Sequence, residues 1–414
     1  MIYEDWVRQE LRELSRTLSF QYTPDEEIEN RLVRIRTRME KEHLEALLVV
    51  GKMNSFYLSG TAQDGFIFIP LVGRPFLMIK RELERAKVES PIKDIVAFKS
   101  SREIPLLVQG HCSKLPVSLG LELDRLPVKD YFRFQELFPN TKLMDASVVL
   151  RETRKIKSSF EIDLMKKAGE IGKRVYQKAK RILKEGMTEI EFGGLLEATA
   201  KQWGHEGLLR VNSLNYEAYT WHVLSGLTGG IVSQSDSPMG GLGLSPAFPV
   251  GASLKKMKVH EPILVDFGTC YHGYQADETR MFSIGRMKQK FVDAYKACRE
   301  IHDTVLREAR PGADCEAIFM KTLKLAGRLG YKDNYLGPPG LQTHFIGHGI
   351  GLELNELPFI GQGQSYPLEG GMTLAIEPKI VFLGEGSVGI ENTVAITEEG
   401  YEILTPVSQE IFQV

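Results

Sequence analysis

Cysteine is scarce in this chain. The 414 residues include four, Cys112, Cys270, Cys298 and Cys315, and none stands in a CxxC spacing. A disulfide framework is denser than this and a zinc knuckle needs tighter pairs, so the four are expected to be reduced thiols of a cytoplasmic protein. An excess of charge is missing too. The formal net charge of −2 points away from nucleic acid or an anionic membrane as a partner. No apolar run approaches the roughly 20 residues of a membrane helix. The opening MIYEDWVRQELRELSR is charged and lacks a signal-peptide core. No GxGxxG follows a strand-like run and there is no Walker loop, which leaves nucleotide binding without support. What remains is a chain of ordinary apolar content, 43 %, long enough for two domains.

The first 45 residues read as helical, with Ile28, Leu32, Ile35 and Met39 at helical spacing. Short apolar runs follow: ALLVV at 46–50, SFYLSG at 55–60, FIFIP at 66–70, PFLMIK at 75–80, DIVAF at 94–98 and VSLGLEL at 117–123. Turn residues and helical patterns separate them, as in an α/β layer domain. Composition changes near residue 150, where RETRKIKSS is a basic connector, giving expected domains of 1–152 and 153–414. Ser158 with Glu161 is a capping box opening a long helix that Gly186 should stop, and Thr188 with Glu191 is a second one. Two further helices are expected over 289–309 and 315–330. Strand-like segments lie between and after them, so the second half is expected to be α+β, helices on an antiparallel sheet. The stretch 225–252, rich in glycine, serine and proline, reads as a long loop.

Five side chains in the second half carry the chemistry: Asp266 and Asp277 in VDFGTCYHGYQADETR, His348 in GHGIGLELNELP, Glu377 in AIEPKI and Glu391 in GIENTVAIT. Asp266 and Asp277 flank His272-Gly273, a plausible hairpin turn. A two-residue turn sets Asp277 across from Gly268, and a four-residue turn sets the aspartates directly opposite. Both registers put the carboxylates on one face, within about 4.5–8 Å. Glu377 and Glu391 sit in two strands around the turn Gly384-Glu385-Gly386. His348 lies among glycines that let the backbone approach a site closely. Taken singly, each aspartate reads equally well as a surface or salt-bridged residue, with Arg280 as partner, and the histidine as a core residue. Together, four carboxylates and an imidazole would repel one another unless one or two cations sat between them. Such a donor set suits Mn, Fe or Co, with Zn next. Two divalent ions about 3.5–4 Å apart would hold and ionise a water, the chemistry of amide hydrolysis.

These segments resemble the pita-bread metallopeptidases, the family of methionine aminopeptidase, aminopeptidase P and prolidase, with creatinase as a relative. NSFYLSG at 54–60 is similar to the creatinase/prolidase N-terminal domain, and IKSSFEIDLMKKA and EGMTEIEF to the first helices of the catalytic domain. The resemblance implies an α/β N-terminal domain and a pita-bread catalytic domain with a curved antiparallel sheet covered by helices. By resemblance Asp266 binds one metal, Asp277 and Glu391 bridge both, and His348 and Glu377 hold the second. Glu377 is then also the proton shuttle, and His344 matches a histidine near the substrate in proline-specific members. A two-domain member implies a proline peptidase and a homodimer.

The sequence also departs from the family pattern. A second histidine seven residues after His348 is replaced by Asn355, a candidate substrate contact that can donate a hydrogen bond but cannot become a cation. SGLTGGIVS replaces a segment whose histidine falls at Ser233. EPGIY becomes Glu377-Pro378-Lys379-Ile380-Val381, an arginine before IED becomes Gly389, and the aspartate after it becomes Asn392. His222 and His260 are candidates to substitute for the missing histidine, and Tyr219 and Trp221 could line an apolar pocket. The leading expectation is a dinuclear Xaa-Pro aminopeptidase or dipeptidase acting on peptides. The alternatives are a carbon–nitrogen hydrolase of a small metabolite and a metal-binding member without catalysis.

Overall fold

The computed structural model describes residues 3–18, 20–213, 221–233 and 237–414. The chain divides into two compact units, Met1–Thr153 and Arg154–Val414.

The first unit is built on a mixed sheet of β1 (Ala46–Val49), β2 (Gly65–Pro70), β3 (Phe76–Ile79), β4 (Asp94–Ala97), β5 (Ser118–Leu121) and β6 (Lys142–Asp145), in the order β4-β3-β2-β1-β5-β6. β1–β2 and β2–β3 are antiparallel, whereas β3–β4, β1–β5 and β5–β6 are parallel. A parallel pair needs a crossover. Helices Leu83–Glu89 and Val128–Leu137 provide it between β3 and β4 and between β5 and β6.

Two expectations change here. Among the described residues the first 45 hold two helices, Tyr3–Thr17 and Asp25–Lys41, and Pro24 stands at the start of the second. SFYLSG belongs to a helix, Lys52–Ser59, and not to a strand. The buried Glu122 carboxylate accepts the N–H groups of Val50 and Gly51 and the Asn54 side chain at 2.6–2.7 Å, holding the start of that helix. Gly60 at φ +78° ends it.

In the second unit the long helix Ser159–Ile182 opens with the Ser158–Glu161 capping box, and it ends before Gly186. Thr188 caps Glu189–Gln202 through the Glu191 N–H. Helices Gln289–Glu308 and Cys315–Arg328 complete the expected set. The strands are β7 (Trp221–Ser225), β8 (Ile263–Phe267), β9 (Thr269–Tyr271), β10 (Tyr274–Ala276), β11 (Thr279–Ser283), β12 (Phe345–Gly349), β13 (Glu356–Gly361), β14 (Thr373–Ile376), β15 (Lys379–Phe382), β16 (Gly386–Gly389), β17 (Asn392–Ile396), β18 (Tyr401–Ile403) and β19 (Phe412–Gln413). One sheet runs β19-β11-β8-β7 and another β13-β12-β14-β17-β18; β9–β10 and β15–β16 extend the hairpins between them.

The first helix pair packs on the β7–β8 side, where Val175, Tyr176, Phe192 and Leu196 meet Val223, Val265 and Phe267. The second pair packs on the other side through Phe291, Ile301, Ile318 and Phe319 against Ile346, Leu374 and Val388. Among the described residues no helix is long and apolar enough to cross a membrane.

Candidate metal centre

The two aspartates reach one face through the two-residue turn. His272 and Gly273 both have positive φ, +49° and +81°, as a tight hairpin turn requires. Ala276 lies opposite Thr269 and Thr279 opposite Asp266, so one register runs through both strand pairs. Asp277 therefore sits across from Gly268, two positions along from the partner of Asp266.

The glutamates meet in the same way. Ile376 pairs with Asn392 and Lys379 with Gly389, which sets Glu377 directly across from Glu391. The two hairpins are then stitched together. The Glu391 N–H donates to the Thr279 carbonyl at 3.2 Å, and Thr279 Oγ1 donates to Glu391 Oε2 at 2.7 Å. Thr393 Oγ1 accepts the Asp277 N–H at 2.8 Å and donates to the Asp277 carbonyl at 2.9 Å.

His348 enters from β12, the neighbour of β14. The flanking glycines are required by space: a Cβ at Gly347 would lie 2.7 Å from the Ala375 carbonyl, and one at Gly349 would lie 2.3 Å from that of Leu357. His348 Nδ1–H donates to the Gly349 carbonyl at 3.1 Å, which leaves Nε2 as the ligand atom, 3.5 Å from Glu377 Oε1. One ligand atom each from Asp277, His348 and Glu391 lie within 4.8 Å of one another, and all three residues are buried. A divalent ion fits this group: the donors are of the right type, the histidine tautomer is set, and burial makes their carboxylate charge costly without a cation.

A fourth kind of group stands in the same place, at a position marked in the sequence only as a departure from EPGIY. Lys379 is 1 % exposed, and its Nζ lies 2.6 Å from Glu377 Oε2, 2.9 Å from Asp266 Oδ2 and 3.4 Å from Glu391 Oε2. The available signal was its position, a lysine inside the apolar run AIEPKIVFL two residues after Glu377.

The charges respond unevenly to this lysine. Burial opposes the Lys379 ammonium, but Asp266, Glu377 and Glu391 hold its pKa well above the usual lysine range. Burial likewise opposes the Asp266 carboxylate, but Lys379, with His222 and the Thr279 hydroxyl, outweighs it, so the pKa is lowered. Asp277 and Glu391 go the other way. Burial, joined by Asp266 acting on Asp277 and by Asp277 acting on Glu391, pushes both well above the carboxylate range despite Lys379.

Of the remaining candidates, His222 stands beside this cluster, and the other described ones hold contacts of their own. His222 lies opposite Asp266 in β7, with Nδ1 3.9 Å from Asp266 Oδ2. Burial lowers its pKa to about 4, with Lys379 adding to the shift and Asp266 opposing it, so the ring is neutral at pH 7. His344 is exposed just before β12, and its carbonyl accepts the Gln362 N–H. His260 is exposed and donates from Nδ1 to the Arg286 carbonyl. Asn355 accepts the Asn212 N–H at 2.7 Å and donates to its carbonyl at 3.3 Å, so both ends of its amide hold backbone. Ser233 donates to the Pro249 carbonyl. Asn392 donates to Thr405 and accepts from Gln409. Tyr219 lies outside the described residues. Arg280 does not pair with either aspartate. It binds Glu278 at 2.8 Å and the carbonyls of Thr279, Glu391, Val407 and Ser408.

A buried sheet face carrying these donors defines a metallohydrolase of the pita-bread type. The profile of Metallopeptidase family M24 matches residues 163–398, and that of the Creatinase/Prolidase N-terminal domain matches 31–156. The chain belongs to metallopeptidase family M24. It is similar to the Xaa-Pro dipeptidase of Pyrococcus horikoshii, 27 % identical over 379 residues, covering 90 % of this chain and 96 % of the relative. The crystal structure of the prolidase from Pyrococcus horikoshii OT3 superposes with a TM-score of 0.77 at 26 % identity, over 92 % of this chain and 99 % of that one. An Xaa-Pro dipeptidase from Bacillus anthracis shares the fold with a TM-score of 0.81 at 24 % identity, over 94 % of this chain and all of that one.

Proposed function

We propose that this chain is a metal-dependent Xaa-Pro peptidase, releasing the residue that precedes proline from a dipeptide or from the N-terminus of a longer peptide. The observation that carries the reading is the convergence of Asp277, His348 and Glu391 ligand atoms within 4.8 Å, with Glu377 beside them. The full-length similarity to an Xaa-Pro dipeptidase supports the substrate class. We assign catalysis to residues 153–414 and treat 1–152 as a separate domain.

In this reading Asp277, His348, Glu377 and Glu391 hold a divalent ion, manganese first and cobalt, iron or zinc after it. When bound, the ion polarises the scissile carbonyl and acidifies water beside it. Glu377 takes the proton of the attacking water and returns it to the leaving nitrogen. Neutral His222, at the Asp266 end, donates a hydrogen bond to the oxygen on which charge develops. His344 and Tyr219 are assigned to the substrate, and Asn355 serves it indirectly by placing the backbone at Asn212. By composition the five-residue set is that of a two-ion centre, in which Asp266 would be the main ligand of the other ion, the position that Lys379 faces. The protein is further proposed to be a cytoplasmic homodimer.

Purified protein supplied with Mn or Co should cleave Xaa-Pro dipeptides or longer Xaa-Pro peptides, and a chelator should stop it. No turnover across a peptide panel, with metal shown to be bound, would overturn the reading.

A further inference from the structure

Asp266, Glu377 and Glu391 are arranged around a point that the protein itself fills. Lysine carries three N–H donors, and the Lys379 ammonium meets three carboxylates, at 2.9, 2.6 and 3.4 Å. None of its donors is left over. A divalent ion held by Asp266 and Glu391 would need their oxygens at about 2.0–2.2 Å, and two of those oxygens, Asp266 Oδ2 and Glu391 Oε2, already face the ammonium. An ion and the lysine cannot both occupy that point.

The lysine is also housed there. Lys379 and Gly389 are cross-strand partners, and a Cβ at Gly389 would lie 2.5 Å from Lys379 Cγ. The missing side chain at 389 is the space in which the aliphatic stem runs. The stem is enclosed, and the head is 1 % exposed, so this is a fixed internal cation and not a surface lysine folded inward. None of its three ion pairs goes to Asp277 or His348. The donor group of Asp277, His348 and Glu391 therefore stays open to an ion while the Asp266 end is closed.

We propose that the Lys379 ammonium replaces one of the two divalent ions, so that the centre takes a single ion, held by Asp277, His348 and Glu391 with Glu377 beside them. The inference rests on the metal-dependent reading above and narrows it: hydrolysis would run at one divalent ion with a built-in monovalent cation next to it.

The test is a count of ions, read apart from activity. Protein equilibrated with excess Mn and dialysed is assayed for bound metal per chain, and the spin state is read by electron paramagnetic resonance. Wild type should hold one ion with an isolated Mn signal. Lys379→Ala, which empties the position, should hold two with an exchange-coupled signal. Lys379→Arg, which keeps a cation, should still hold one. Two ions in wild type would overturn the inference and leave the peptidase reading intact. One ion in both wild type and Lys379→Ala would also overturn it. No ion in wild type would overturn both. Should Lys379→Ala fail to fold, the wild-type count decides alone.

Discussion

Thr393 clamps the backbone of Asp277 on both sides: its hydroxyl accepts the Asp277 N–H and donates to the Asp277 carbonyl. A candidate ligand on one hairpin is thereby fixed by a residue on the other. Replacing Thr393 by Val keeps the shape and removes both bonds, leaving a buried N–H and C=O unpaired. The expected cost is about 1–3 kcal/mol of stability, measured by urea denaturation. Metal affinity should fall roughly 10–100-fold, measured by calorimetry, as for other groups that orient a ligand.

Metal uptake should release protons. Without an ion, Asp277 and Glu391 have pKa values well above the carboxylate range, chiefly through burial. A cation lowers both, so binding should expel protons, and affinity should rise with pH. Calorimetry in buffers of different ionisation enthalpy measures the release. A binding enthalpy independent of buffer would contradict it.

His222 should stay uncharged down to acid pH. In the metal-free protein its ring should titrate near pH 4, followed by its ring proton shifts in NMR. Because the folded pKa lies below the unfolded value of about 6.5, this residue's contribution to stability is present above pH 6.5 and is lost as pH falls through 4. Lys379→Met removes a positive neighbour and leaves Asp266 unpaired, so the His222 pKa should rise. An unchanged value would show that Lys379 does not act on it.

A second buried charge group, built on residues other than the candidate metal ligands, predicts an acid-labile site. Arg154 binds Glu353 at 3.0 Å and also Glu356, and Lys157 binds Glu356 at 3.0 Å. Burial alone would raise the Glu356 pKa, but Arg154 and Lys157 reverse this and hold it at about 2. The folded value is depressed, so its stabilisation is present above the unfolded pKa near 4.5 and disappears as pH falls through 2. Glu356→Gln should cost on the order of 3 kcal/mol at pH 7. The gap from wild type should close between pH 4.5 and 2, measured by denaturant unfolding at each pH.

Much of the centre was legible because its parts are local. Asp266 and Asp277 share a face by strand alternation once His272-Gly273 makes the turn, and the turn is a short-range signal. The helices opening at Ser158 and Thr188 were marked by their own capping residues. What stayed hidden depends on long-range placement. Lys379 could be seen on the Glu377 face, but not that Asp266, 113 residues earlier, would come within 2.9 Å of it. Asn355 read as a substrate contact because its partner, the backbone at Asn212, lies 143 residues away. SFYLSG was apolar enough for a strand. The feature that makes it helical is Glu122, about 70 residues on, gathering the N–H groups of Val50 and Gly51.

The single register through each hairpin constrains how this centre can change over evolution. All four carboxylates hang on two turns, His272-Gly273 and the one joining β15 to β16. Insertion of one residue in either turn would rotate one carboxylate of the pair to the opposite face and carry every later side chain of that strand with it. Substitution can retune this centre position by position, as Lys379 and Gly389 illustrate, but a change of length in either turn would dismantle it at a stroke. Drift in these two loops should therefore be confined to residue type.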